Sequence, residues 1–127
     1  MREKPDIRPI GRVRRIEGTS VLELDESLED ALDGVEAGDT IQVLYWMHEL
    51  TEEDRGIQKV HPRGDTDRPL RGVFALRSPM RPNPIGVSNV RVERVRGTEV
   101  TVSGLDALDG SPVLDIKSAR TGPDRQG

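Results

Sequence analysis

The sequence predicts a mainly β protein: a small closed or partly open antiparallel β-barrel with one or two short helices. Three observations lead there. Seven or eight short runs of apolar and β-branched residues follow one another, separated by Gly- and Asp-marked turns. The turns are too tight for crossover connections, so antiparallel pairing dominates, and closure removes the exposed edges such a sheet would otherwise present. The chain has 127 residues, of which 33% are hydrophobic, with Tyr45, Trp46 and Phe74 its three aromatics. That bounds it to one domain with a small aliphatic core of Val, Leu and Ile. So lean a core leads to the expectation of a homodimer that hides further apolar surface.

Ile7–Ile16 reads as the first strand, with Ile10, Val13 and Ile16 apolar and Gly11 a kink. Ser20–Leu24 is the second. Ser27–Val35 has Leu28, Ala31, Leu32 and Val35 at helical spacing, with Ser27 as cap. Ala37-Gly38-Asp39 is a turn. Thr40–His48 is a strand apolar on both faces, with Ile41, Val43, Tyr45 and Met47 on one and Leu44, Trp46 and His48 on the other, hence central. Thr51–Gly56 is a charged loop or helical turn, Gln58–His61 a short strand, and Pro62–Pro69 irregular. Gly72–Leu76 is a strand that leads into a proline-rich loop. Ser88–Val95 and Glu99–Ser103 form a hairpin about Arg96-Gly97-Thr98. Asp109-Gly110 is a turn, and Pro112–Lys117 is the last strand. Residues 1–117 are thus expected to form a single domain and residues 118–127 a flexible tail.

Composition excludes several classes of function. There is no cysteine, hence no disulfide, thiolate metal site or cysteine nucleophile. His48 and His61 lack metal-ligand spacing, so no metal is expected. No apolar run approaches a membrane span, and Met1-Arg2-Glu3-Lys4-Pro5 does not read as a signal peptide, so the expected location is the cytoplasm. No G-x-G-x-x-G opens a helix and no P-loop is present, which argues against a Rossmann-type enzyme or an NTPase. Ser78 has no G-x-S-x-G context.

Net charge is −4, but it is unevenly spread. From Arg63 to Arg96 there are eight arginines, no lysine and three acidic residues (Asp65, Asp67, Glu93), against 11 basic and 20 acidic residues elsewhere. Such a segment suits phosphate recognition. Arg8, Arg12, Arg14 and Arg15 add to it if they fold nearby.

The segment Leu76-Arg77-Ser78-Pro79-Met80-Arg81-Pro82-Asn83-Pro84-Ile85-Gly86 carries the most chemistry. Its three prolines exclude a helix or a central strand. Ser78, Arg81 and Asn83 each precede a proline and are biased to extended backbone. A loop so ordered in advance loses little entropy on binding. Arg77 and Arg81 suit a carboxylate or phosphate. The amide of Asn83 both donates and accepts, as reading an adenine edge or a carbamoyl group requires. Asp106, Asp109 and Asp115 form a second polar group, although Asp109 also reads as a turn residue.

Two long motifs in order give these groups a common purpose. Gly72-Val73-Phe74-Ala75-Leu76-Arg77-Ser78, continued by Arg81-Pro82-Asn83-Pro84-Ile85-Gly86, resembles one signature of the tRNA methyltransferase O family, also called TsaA-like or YaeB-like. The stretch from Gly104 to Lys117, containing Leu105-Asp106-Ala107-Leu108, resembles the other. The similarity covers about Thr40–Lys117 and the opening run Pro9-Ile10-Gly11-Arg12-Val13-Arg14. It implies a β-barrel that binds S-adenosylmethionine (SAM) outside the Rossmann framework and methylates N6-threonylcarbamoyladenosine beside the tRNA anticodon.

Carried over by position, the resemblance implies a cofactor site of His48, Glu49, Arg77, Val87, Leu105, Asp106, Ala107 and Leu108. Arg77 would meet the carboxylate, Asp106 the cationic or amino groups, and Leu105 and Leu108 the adenine faces. Arg81 and Asn83 would face the acceptor as catalytic residues, with His48 available as a base. Arg63, Arg68, Arg71, Arg91 and Arg94 are the candidates for RNA backbone. The match has three departures. The family's Ser-Pro and Pro-Arg-Gln segment is replaced by Arg15-Ile16-Glu17-Gly18, so that part of the pocket is missing or rebuilt. The Asp-Ile-Lys-Pro-Tyr ending reads Asp115-Ile116-Lys117-Ser118-Ala119. A C-terminal extension common in bacterial members is not expected. These departures leave open SAM-dependent methylation of a small molecule, or a non-catalytic SAM- or RNA-binding module.

Overall fold

The computed structural model describes residues 4–119. Eight strands run along the chain: β1 (Gly11–Ile16), β2 (Thr19–Leu24), β3 (Thr40–Trp46), β4 (Lys59–Val60), β5 (Arg71–Gly72), β6 (Ile85–Arg96), β7 (Glu99–Ser103) and β8 (Pro112–Ser118). Six of them close into an antiparallel barrel in the order β1-β2-β7-β6-β3-β8, and β4 and β5 form a separate two-stranded sheet. The fold class read from the sequence is the one observed.

Alternation places the core. On β3, Ile41, Val43 and Tyr45 are buried while Gln42, Leu44 and Trp46 are half-buried, as a period of two requires. On β6, Gly86, Ser88, Val90 and Val92 point inward, until a bulge between Val92 and Arg94 shifts the phase. Val13, Leu22, Val100, Val102 and Val113 complete the barrel interior. Each fully buried Val or Leu contributes about 1.5–3 kcal/mol, which is how a lean composition still closes a core.

Two glycines set close approaches. A Cβ at Gly11 would collide with the Glu23 carbonyl, where β1 is squeezed between β2 and β8. A Cβ at Gly86 would lie 2.5 Å from Cζ of Tyr45, its register partner on β3. Gly86 therefore gives the Tyr45 ring its place in the wall.

Several elements differ from expectation. Gly72–Leu76 is not a strand. β5 ends at Gly72 and a 3-10 turn, Val73–Ala75, follows, because this segment pairs with no barrel strand and its amides turn back locally (Leu76 N–H to Val73 O, 3.2 Å). The segment after β2 is a 3-10 helix, Glu26–Leu32, capped by Asp25 rather than Ser27: the Asp25 carboxylate accepts from Ser27 N–H. β3 stops at Trp46, since Met47 N–H donates to Pro84 O and the chain turns at His48. The short helix α1 (Glu52–Arg55) has a capping box between Thr51 and Asp54. β8 runs one residue past the expected boundary, through Ser118, and Ala119 N–H donates to Thr40 O (3.2 Å). The rest of the expected tail, residues 120–127, lies outside the described residues. No described helix is long and apolar enough to cross a membrane.

Candidate cofactor pocket and basic groove

Two cavities meet at one end of the barrel. The first, of about 760 Å³, is bounded by Tyr45, Glu49, Arg77, Val87, Asp106 and Leu108 among others. The second is a groove of about 1320 Å³ between the β4–β5 segment and the proline loop. They share Arg77, Pro79 and Asp106.

The pocket's far wall is the loop after β7. Leu105–Leu108 has no regular secondary structure, yet every carbonyl in it has a donor. Arg15 Nη1 donates to Leu105 O (3.3 Å) and Ala107 O (3.0 Å). Tyr45 Oη donates to Asp106 O (2.8 Å). Ser111 donates to Leu108 O through its N–H (3.1 Å) and its hydroxyl (2.7 Å). Leu105 and Ala107 are buried and Asp106 and Leu108 exposed. The side chains of Leu105 and Ala107 thus face the core and neither residue borders the cavity, while Asp106 and Leu108 do. Asp109 neither caps its own turn nor lines the pocket. Its carboxylate accepts from Arg15 N–H at 2.7 Å and ties the loop to β1.

His48 does not line the pocket. Its Nδ1 lies 3.5 Å from Ser111 Oγ, at the long limit of a hydrogen bond, and the Ser111 hydroxyl is already donated to Leu108. Asp115 lies outside both cavities. It pairs with Lys117 (3.2 Å) and borders a separate apolar cavity beside the 3-10 helix.

The proline loop is held from within. Arg81 lines the pocket, but its guanidinium donates to the carbonyls of Val73, Leu76 and Ser78, each at 2.7 Å. Only Nη1 has no partner among the described residues. Asn83 is exposed and borders neither cavity. Its Oδ1 accepts from Arg55 Nη2 (3.2 Å), while Arg55 Nε donates to Pro82 O (2.7 Å) and its guanidinium lies 5.4 Å from the Trp46 ring centroid.

The structure sorts the arginines. Arg8 pairs with Asp6, Arg12 with Glu23, and Arg14 with Glu23 and Glu99, so these three are neutralised and do not join the basic segment. Lys59, Arg63, Arg68 and Arg71 line the groove together with Arg77 and His61. Among the described residues only Arg68 of these cations has an acidic partner, Asp65 at 4.0 Å. Arg63 is held at φ +54°, a left-handed conformation that costs a non-glycine residue about 1–2 kcal/mol and is often kept at functional segments. Arg91 and Arg94 stand elsewhere, about 17 and 26 Å further along β6 from Gly86, with Arg91 near Glu93 (3.9 Å). The five RNA-backbone candidates therefore fall into a groove trio and a separate strand pair. No group of three or more His, Cys, Asp or Glu suited to a metal occurs among the described residues.

Sequence reasoning missed Arg15, Tyr45, Ser111 and Arg55. The bonds of Arg15 to the loop span about 90 residues, and no local pattern announces them. A glycine inside the β6 pattern facing an aromatic on β3 was the one available signal for Tyr45.

A six-stranded closed barrel whose end carries a braced loop, a proline loop and an adjoining basic groove defines a small ligand-binding β-barrel rather than a nucleotide-binding α/β protein. Residues 6–124 match the tRNA-methyltransferase O N-terminal domain, and the chain belongs to that family. It is 45% identical over 112 residues to a probable S-adenosyl-L-methionine-binding protein of Methanocaldococcus jannaschii, covering 87% of this chain and 89% of that one. It is 49% identical over 100 residues to the probable S-adenosyl-L-methionine-binding protein VirR of Rhizobium radiobacter, covering 79% and 54%. Among solved structures, TrmO from Pseudomonas aeruginosa superposes with a TM-score of 0.71 at 28% identity, covering 98% of this chain and 62% of that one. The chain thus spans less than two thirds of that protein and about half of VirR.

Proposed function

We propose that this protein is a SAM-dependent methyltransferase whose acceptor is a modified adenosine of tRNA, N6-threonylcarbamoyladenosine beside the anticodon. The observation that carries the reading is the joining of two unlike cavities at Arg77 and Asp106. The smaller has Glu49 and Asp106 in its lining beside Arg77 and Arg81. The larger adds Lys59, Arg63, Arg68 and Arg71 to a lining that also contains apolar side chains.

The residues present fit the cofactor. A volume of about 760 Å³ lies within the range of small-molecule pockets. Glu49 and Asp106 suit the sulfonium and ammonium charges. Arg77, without a partner among the described residues, suits a carboxylate. Val87 and Leu108 offer apolar surface to an adenosine. SAM supplies an electrophilic methyl group. The chain's part is to hold that group and the acceptor in line and to shield the site from water, and such alignment accounts for much of the acceleration in bimolecular chemistry.

Arg63, Arg68 and Arg71 would hold the RNA backbone along the groove, with Arg91 and Arg94 as a further, outlying contact. Asn83 borders neither cavity, so its amide nitrogen would meet the acceptor strand outside them, and Arg81 would set the loop that carries it. His48, displaced from the pocket, is left at most a supporting place through Ser111. We further propose one domain over the described residues, a homodimer, and a cytoplasmic location.

The test is transfer of a labelled methyl group from SAM to bulk tRNA from a strain lacking this activity, followed by nucleoside analysis. Label in methylated threonylcarbamoyladenosine is expected. SAM binding by calorimetry without label in any tRNA nucleoside would move the acceptor to a small molecule or reduce the protein to a binding module.

A further inference from the structure

We infer that Arg15 is a positioning residue for the pocket. It acts from β1 by holding the carbonyls of Leu105 and Ala107, so that the other edge of the loop is presented to the bound molecule. The inference rests on the reading of the pocket as the SAM site.

Burial alternates along the loop: Leu105 and Ala107 in, Asp106 and Leu108 out. That is the pattern of extended chain, in which the N–H and C=O of one residue share an edge and neighbouring residues use opposite edges. Arg15 Nη1 spans one edge, from Leu105 O to Ala107 O. It takes the place a neighbouring strand would hold. Tyr45 and Ser111 satisfy the carbonyls of Asp106 and Leu108 on the other edge, which is the edge on the cavity. The amides of residues 105–108 have no acceptor among the described residues. The loop therefore offers the cavity the N–H donors of Asp106 and Leu108 and the Asp106 carboxylate, with its carbonyls already committed.

The main chain of Arg15 and its side chain have separate tasks. Its N–H donates to Asp109 Oδ1, a bond that survives any substitution except proline. The guanidinium alone orients residues 105–107. Arg15 is exposed, so replacing it leaves the barrel core intact.

The experiment compares the unaltered protein with Arg15→Met, Arg15→Gln and Arg15→Lys. Three readouts are taken: SAM affinity by calorimetry, hydrogen exchange at Gly110 and Ser111, whose amides donate to Val13 O and Leu108 O, and melting midpoint. We expect SAM binding to weaken about tenfold in Arg15→Met, as loss of a charged donor to two carbonyls implies. Exchange at Gly110 and Ser111 should quicken by a similar factor, with the midpoint moving by no more than about 3 °C. Arg15→Lys, which keeps a donor of nearly the same reach, should recover part of the affinity. Arg15→Gln carries the same expectation if Arg15→Met does not fold. Normal SAM affinity and loop exchange in Arg15→Met or Arg15→Gln would overturn the inference. So would a fall in midpoint large enough to account for the lost affinity. Failure of the unaltered protein to bind SAM would instead overturn the reading of the pocket, and the exchange data would still decide whether Arg15 holds the loop.

Discussion

The loop of residues 105–111 and the segment of residues 59–71 border adjoining cavities, but the chain supports them in opposite ways. The loop is tied to distant elements: Arg15 and Val13 on β1, Tyr45 on β3. The segment is tied mainly to itself. His61 Nδ1–H donates to Arg68 O (2.7 Å), Arg68 N–H to Asp65 O (3.0 Å), and β4 meets β5 over two residue pairs. A small, charged cofactor requires fixed donors and acceptors, because a misplaced one leaves a polar group desolvated and unpaired. A polyanion is held chiefly by charge, which tolerates a softer scaffold. The two supports match the two ligands we propose.

The largest expected effect strikes the braced side. Gly86→Val drives a side chain into the Tyr45 ring. It should cost about 1–3 kcal/mol of stability, and by displacing the bond from Tyr45 to Asp106 O it should weaken SAM binding as well. A melting curve beside a calorimetric titration checks both. An unchanged midpoint would mean that the wall is looser than its geometry.

On the groove side, replacing Arg63, Arg68 and Arg71 together by alanine should weaken tRNA binding and flatten its salt dependence. The slope of log affinity against log salt should fall by about 2 if each contacts a phosphate. SAM affinity should stay as it was. The pair Arg91→Ala and Arg94→Ala should change the slope less. A larger effect from the pair would relocate the RNA to the flank of β6.

Asn83→Ala separates the two sides differently. It should reduce turnover by roughly tenfold or more and leave SAM affinity nearly intact, since Asn83 borders neither cavity. Equal loss of both would show that Asn83 acts only through Arg55 and the order of the loop.

The smallest effect lies away from both regions. Hydrogen bonds from the Ser27 hydroxyl and then the Ser27 amide hold the Asp25 carboxyl below the usual aspartate value. A lowered pKa adds stability above the unfolded-state value, and that contribution is lost as pH falls through the folded-state one. Ser27→Ala should therefore shrink the acid-side fall in melting midpoint below about pH 4. An identical acid profile would discount the cap.

The barrel was legible in the sequence because alternation on β3, β6 and β7 is a local signal and closure follows from short connections. The pocket was legible in part. Asp106, Leu108, Arg77 and Val87 lie in two long motifs, and the fold brings those motifs together. What could not be read was the inward turn of chemistry-bearing residues. Arg81 looked like a ligand-binding fork, and its guanidinium instead closes three carbonyls of its own loop. Arg12 and Arg14 looked like additions to a basic face, and β1–β2 pairing places them beside Glu23. Charge pairing across strands depends on register, which composition does not reveal.

The most direct test is single-turnover methyl transfer from labelled SAM to tRNA by the unaltered protein and by the Arg63, Arg68 and Arg71 triple variant, with SAM affinity measured on the same preparations. The account predicts transfer by the unaltered protein. It predicts a steep, salt-sensitive loss in the variant, with SAM binding equal in both. Transfer that survives the triple replacement, or SAM affinity that falls with it, would contradict the division of this site into a braced cofactor pocket and a charged acceptor groove.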